Sequence, residues 1–187
     1  MPLLPAAIRF DRRAQQGTPK RWPEVGRYLA GRTGHEFPVL EGLHSSRARR
    51  AVASMLRENL DPESSVIGTA PKVMAGAIFA AVVQSDPLLD DVRALARLAG
   101  VDEDGLKGAV VFAGGDDSAN PAEDPSGAAM LTLARAASYS PARIDESTVA
   151  TCRAADVGAP AIVEMAAWLS VLQMLHRLTC YLNLPNR

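Results

Sequence analysis

Three side chains have the type and setting for acid/base chemistry: Lys72, Glu164 and His176. Lys72 opens the apolar stretch 73–83, and the other two lie in a long apolar segment that begins at Pro160 and runs toward Leu182. Placed at about 100° per residue, Glu164 falls on one arc with Trp168, Val171, Leu175, Leu178 and Leu182, while Ser170, Gln173 and Arg177 fall on another. A carboxylate on an apolar face costs free energy unless it is paired, and burial drives its pKa upward. That is the character of a general acid or base. The competing expectation is that Glu164, near its helix N-terminus, takes hydrogen bonds there or pairs with an arginine. His176 flanks the apolar face near Leu172 and Thr179, either as a base or as a core-edge or interface histidine. Lys72, if it lies across from Glu164 or Asp86, either holds a carboxylate substrate or forms an ion pair.

Other polar clusters have simpler expectations. Ser85, Asp86, Asp90 and Asp91 crowd the start of a helix at Pro87; Asp86 as N-cap, with the other two aspartates favourable in the early helix, accounts for them without function. His35, Glu36, Glu41 and His44 are metal-capable, but their spacing matches no zinc pattern and Pro38 breaks any single helix through them. A solvated loop and a helix cap are expected there, with no metal. Arg47, Arg49 and Arg50 read as a solvated helix face rather than a phosphate site. Cys152 and Cys180 flank a turn near Gly158 at heights that differ by roughly 24 Å at ~1.5 Å per residue, which rules out a disulfide within one hairpin.

These residues must be held by helices. Apolar residues make up 48 % of the 187-residue chain and aromatics only 5 %, so alanine and leucine fill the space, as in closely packed helices. A formal net charge of −1 gives no broad attraction to nucleic acid or an anionic membrane. No signal peptide is legible at the N-terminus, the 73–83 stretch is too short to span a bilayer, and Glu164, Gln173, His176 and Arg177 argue against a lipid-embedded final helix. A cytoplasmic protein is expected. Residues 1–20 read as an irregular arm, followed by one all-helical domain over 21–187. Helices are predicted at Pro23–Gly31, Ser46–Asn59, Pro71–Gln84, Pro87–Leu98, Asp102–Phe112, Pro125–Ala137, Glu146–Ala155 and Pro160–Leu182, with a polar loop over 114–124 between two halves. The last helix, apolar around most of its circumference, is expected in the middle of the domain.

The order of residues in the last third resembles a known family. Ala-Arg…Ser-Pro-Ala-Arg-Ile-Asp-Glu-Ser-Thr-Val (134–149), then Cys-Arg-Ala-Ala-Asp-Val-Gly-Ala-Pro-Ala-Ile-Val-Glu (152–164), ending in His176-Arg177-Leu178, is similar to the alkylhydroperoxidase D-like / carboxymuconolactone decarboxylase superfamily, in its peroxidase-related branch. The resemblance spans about residues 45–184 and implies an all-α fold of the alkylhydroperoxidase D-like type. The family's closing Asn-Arg pair is His176-Arg177 here. Thiol peroxidases of the family carry Cys-x-x-Cys-x-x-x-His at a helix start, with a glutamate on the preceding helix. Matching Leu95–Val101 to the family's helix end places the first cysteine at Ser85, the second at Leu88 and the histidine at Val92, with the glutamate near Val73, beside Lys72. Every redox position is replaced, and no cysteine precedes Cys152. Without a low-pKa thiolate and a resolving thiol the usual CxxC peroxidase cycle cannot run.

Three functions remain open. One is a thiol-independent enzyme acting on a small organic substrate by acid/base chemistry through Glu164, His176 or Lys72, in a pocket bounded by Ser85, Asp86, Leu88 and Val92. Decarboxylases of the superfamily work without metal or redox cofactor, so the resemblance implies none here. The second is a non-catalytic binding or structural protein that kept the fold after losing its thiols. The third is a peroxidase using Cys152 or Cys180 with an external thiol. The resemblance also implies a homo-oligomer, dimer or trimer. The enzyme reading predicts a pocket lined by at least two of Lys72, Asp86, Glu164 and His176.

Overall fold

A computed structural model describes residues 31, 33–60 and 65–182, and every described regular element is helical. In chain order these are α1 (Pro38–Gly42), α2 (Ser46–Leu60), α3 (Thr69–Val82), α4 (Asp86–Ala99), α5 (Glu103–Ala113), a single 3₁₀ turn at Asp117–Ala119, α6 (Pro125–Ser138), α7 (Glu146–Ala154) and α8 (Ala159–Leu182). The predicted arm and most of the predicted helix at 23–31 lie outside the described residues. The other seven predicted helices form within two residues of their expected bounds. The five-residue α1 was not anticipated; Pro38 at its first turn, which argued against a long helix there, starts a short one.

Local chemistry sets the boundaries. Asp102, Asp124 and Asp145 each cap a helix by accepting from the backbone N–H three residues on, at 2.7 Å (Gly105), 2.8 Å (Gly127) and 2.8 Å (Thr148). Such caps are worth about 1 kcal/mol each. The donors around Asp145, first the Thr148 backbone and then the Thr148 and Ser147 hydroxyls, lower its pKa to about 2. At the start of α4 the expected cap is corrected: Ser85 is the N-cap, Asp86 is already helical, and no side-chain cap bond forms. Gly100 ends α4 in the left-handed region at φ 69°, as its sequence position predicts.

The central element is α3, not α8. Its residues from Lys72 to Ala80 are almost all buried, because α4, α5, α6 and α8 pack around it. An apolar sequence on every face requires such a position. The final helix is peripheral and one-sided. Met165, Trp168, Leu169, Val171, Leu172, Leu175 and Thr179 are buried, while Val163, Ala166, Ala167, Ser170, Gln173 and Arg177 lie on its exposed side. The expected central position is thus overturned, because alanine and serine dilute one face of α8 that the composition had averaged into an apolar whole. Nor do α7 and α8 form a mutually packed hairpin: α7 lies on α6, and α8 lies on α3, α6 and the α1–α2 pair. Cys152 is buried, Cys180 exposed, and both are free thiols.

Candidate functional site

Two places gather some of the sequence candidates. The first joins α3 to α8. The Lys72 ammonium, 1 % exposed, sits 2.5 Å from Glu164 Oε1 on a carboxylate that is 18 % exposed. The ammonium also donates to the Asn59 carbonyl at the end of α2. Glu164 accepts further hydrogen bonds from the Ser65 hydroxyl and from the Val66 backbone N–H, the latter at 2.6 Å. One turn along α8, the Trp168 indole N–H donates to the Lys72 carbonyl at 2.7 Å. Lys72 therefore ties α2, α3 and α8 together through both its side chain and its backbone.

Of the two expectations for Glu164, the hydrogen-bonded and paired carboxylate is found and the raised pKa is not. Burial pushes its carboxyl up, but the hydrogen bonds from Lys72, Ser65 and Val66 and the Lys72 charge together outweigh it, and the pKa lies below the ordinary glutamate value. The partner is Lys72, not an arginine. A carboxylate held ionised by a buried ammonium and two further donors is a poor proton carrier at neutral pH, so the pair serves structure.

The second place is a cavity of about 20 Å³ between α1, α2, α4 and α8. Leu88 and Val92, the positions matching the family's second cysteine and its histidine, both line it. Trp168, Leu172 and Leu175 of α8 close one side, Leu56 and Leu60 of α2 another, and Phe37 with α1 a third. Its one ionisable lining side chain is Asp91. None of Lys72, Asp86, Glu164 and His176 belongs to the lining of this cavity. Ser85 is buried at the head of α4 and Asp86 is exposed; neither lines the cavity.

In the sequence Asp91 has no role beyond a favourable place in the early helix. It is instead 8 % exposed and bonded to His35, with Oδ1 2.7 Å from Nε2. Desolvation pushes its pKa up to about 6, against the hydrogen bond and charge of His35, while the neighbouring Asp90 adds to the rise. The imidazole meets one further ring, and two backbone contacts hold the segment that carries it. Its ring meets Phe37 edge-on at 5.1 Å, the His35 backbone N–H donates to the Thr33 hydroxyl at 3.1 Å, and Arg97 of α4 donates to the Thr33 carbonyl at 3.4 Å. Gly34 turns the chain between them at φ 66°, a conformation glycine adopts at no steric cost. His35 thus contributes through a hydrogen bond to α4, not through the metal-capable cluster of its neighbours. Among the described residues no three His, Cys, Asp or Glu side chains converge as a metal site.

His176 is half-buried beside Phe79, ring centroids 6.4 Å apart. Its Nε2 lies 3.7 Å from the Cys180 sulfur, one turn on. It touches neither the cavity nor the Lys72–Glu164 pair.

No family model matches this chain, and no curated protein is similar to it in sequence. The arrangement of helices is that of the alkylhydroperoxidase D-like all-α fold. A solved structure of that kind, the debrominase Bmp8 as a cysteine-to-alanine variant in complex with 2,3,4-tribromopyrrole, matches with a TM-score of 0.70 at 18 % identity, covering 98 % of this chain and 91 % of the other.

Proposed function

We propose that this chain is a divergent member of the carboxymuconolactone decarboxylase / alkylhydroperoxidase-like superfamily. On this reading it is a thiol-independent, cofactor-free enzyme that transforms a small organic substrate by acid/base chemistry. The reaction is assigned to the α1–α2–α4–α8 cavity, with Asp91 as the acid/base group and His35 holding it. One observation carries this reading: the cavity is walled by Leu88 and Val92, at the family's redox positions, and a single carboxyl raised toward neutrality stands among its apolar side chains. A proton acceptor is most useful when its pKa lies near the working pH. The Lys72 backbone carbonyl then supports the site by holding Trp168, and His176 stands outside it.

The size of the cavity favours a second reading. By volume it holds about one or two water molecules, so a substrate ring enters only if the surrounding leucines and Phe37 change rotamer. A protein that binds a small apolar molecule without transforming it meets the same geometry. As a further part of the proposal the protein is a homo-oligomer, supported by the exposed apolar residues Val163, Tyr181 and Leu182 on α8; light scattering on a sizing column reports the subunit number.

A panel of small aromatics, 2,3,4-tribromopyrrole among them, tests the assignment by binding and by mass-spectrometric product analysis. The enzyme reading requires product formation that is lost in Asp91→Asn and in Leu88→Trp, which fills the cavity. Binding without turnover, abolished by Leu88→Trp alone, establishes the binding protein. Ligands that bind equally well to Leu88→Trp place the site elsewhere and end both readings.

A further inference from the structure

The surface of the cavity between α1, α2, α4 and α8 is almost wholly apolar. Its volume of about 20 Å³ would admit water by size, but its chemistry does not. A buried water stays in place only where about two to four polar groups bind it. Phe37, Leu88, Val92 and Leu172 present methyl groups and ring carbons. Only two lining side chains carry polar atoms, and both bond to groups outside the cavity. The Trp168 indole N–H donates to the Lys72 carbonyl at 2.7 Å, and Asp91 Oδ1 lies 2.7 Å from His35 Nε2. An apolar cavity of this kind stays dry and takes up non-polar atoms or molecules instead.

We infer that the cavity, without any change of rotamer, is a dry site for a non-polar molecule of diatomic-gas size, with dioxygen its occupant. This deepens the binding reading of the same cavity and rests on it, adding what enters while the wall stays as it is. Other classes are excluded one by one. Ions lose their hydration and find no partner. Alcohols, amines and acids of the same size bring donors and acceptors that stay unpaired. Rings exceed the space until the leucines and Phe37 move. Dioxygen has no charge and gives up little on leaving water. It also supplies dispersion contacts to wall atoms that otherwise face a gap.

Dioxygen is paramagnetic, and dinitrogen, of similar size and polarity, is not. The difference in methyl-proton relaxation between the two gases at equal pressure therefore reports where dioxygen resides. In the unaltered protein that difference should be severalfold larger at the methyls of Leu88, Val92 and Leu172 than at those of Leu106 and Leu131. The latter two are also buried, at 4 % and 0 % exposure, but line no part of the cavity. Leu88→Phe puts a ring into the space and should remove the excess at Val92 and Leu172. Gly76→Ala, whose added carbon lies 3.1 Å from Val92 Cγ2, is the milder variant and should reduce the excess even if Leu88→Phe does not fold. Cavity methyls that relax no faster than Leu106 and Leu131, or an excess unchanged in the folded variants, overturn the inference. Ring binding is measured separately. Rings that bind and are excluded by Leu88→Trp, with no dioxygen excess, leave the cavity reading standing without this inference. Dioxygen without any ring confines the cavity to molecules of gas size, and neither at the cavity overturns both.

Discussion

The imidazole of His35 and the carboxyl of Asp91, 56 residues apart in sequence, meet at 2.7 Å at the edge of an apolar cavity. The contact joins the segment before α1 to the middle of α4. It also lowers the pKa of the one carboxyl-bearing residue in the cavity lining, against the larger effect of burial.

A pH dependence of stability follows, and its sign differs from the usual aspartate case. The folded-state pKa of Asp91 is about 6 against an ordinary 3.8, so between those values the folded protein holds a proton that the unfolded chain has released. Stability from this group therefore falls as pH rises through that window and is flat above it, with a total of roughly 3 kcal/mol as an upper bound. Asparagine does not titrate. Urea midpoints at pH 4 and pH 7 should show Asp91→Asn gaining about 2–3 kcal/mol on the unaltered protein between the two. The groups acting on Asp91 are His35, which lowers its pKa, and Asp90, which raises it and is itself bonded to Arg93 at 2.9 Å. Removing the imidazole in His35→Ala should move the Asp91 carboxyl resonance midpoint above 6, and an unchanged midpoint would show that the pair does not persist in solution.

Lys72 and Glu164 should respond unequally to substitution. Glu164→Leu strands an ammonium that is 1 % exposed, with only the Asn59 carbonyl left to it, and should cost about 3–5 kcal/mol. Lys72→Met leaves a carboxylate that is 18 % exposed and still bonded to Ser65 and Val66, and should cost about 1–3 kcal/mol. The double substitution should recover most of the loss, since no unpaired charge remains. Glu164 has a lowered pKa, so its contribution is present above the ordinary glutamate value and fades as pH falls through the folded one; this acid-limb dependence should weaken in Lys72→Met. The Trp168 bond goes to the Lys72 backbone, so the near-ultraviolet signal of Trp168 should survive the exchange.

The two cysteines offer a test of packing by counting. Cys152 is buried at 0 % exposure, with its thiol pKa raised by desolvation, while Cys180 is exposed on α8. A thiol reagent should titrate one equivalent rapidly in the native protein and the second only on unfolding, and Cys180→Ser should remove the fast one. Two fast equivalents would place Cys152, and with it the α6–α7 contact, outside a stable core.

The helices were legible because their signals are local: proline at first turns, aspartate caps, glycine at the end of α4, apolar periodicity. The place of α8 was not, because its exposed face carries alanine and valine as well as Gln173 and Arg177, and composition does not tell a diluted face from a buried one. The Lys72–Glu164 pair was legible as one of two alternatives, since a carboxylate in phase with Trp168 and Val171 demands a partner. Applied to α4, the same argument singles out Asp91, which stands three residues after Leu88 and four before Leu95, on the stripe that faces the cavity. Its partner was beyond reach. His35 lies in a short segment whose path depends on the Gly34 turn and the Arg97–Thr33 bond, and no spacing rule connects residues 35 and 91.

Packing around Gly76 gives a last test, because it separates an empty cavity from a filled one. A β-carbon added there would lie 3.1 Å from Val92 Cγ2 and 3.7 Å from Leu172 Cδ1, two side chains that line the cavity on their other side. Alanine in the middle of α3 gains about 1 kcal/mol of helix propensity, and overpacking a rigid core would cost about 1–3 kcal/mol. Val92 has space to retreat into, so Gly76→Ala should change stability by less than about 1 kcal/mol while consuming volume a ligand would use. Its melting temperature should stay close to that of the unaltered protein, and its affinity for toluene should fall severalfold. A large loss of stability would mean that Val92 is pinned, and that the space between α4 and α8 cannot yield to a ligand either.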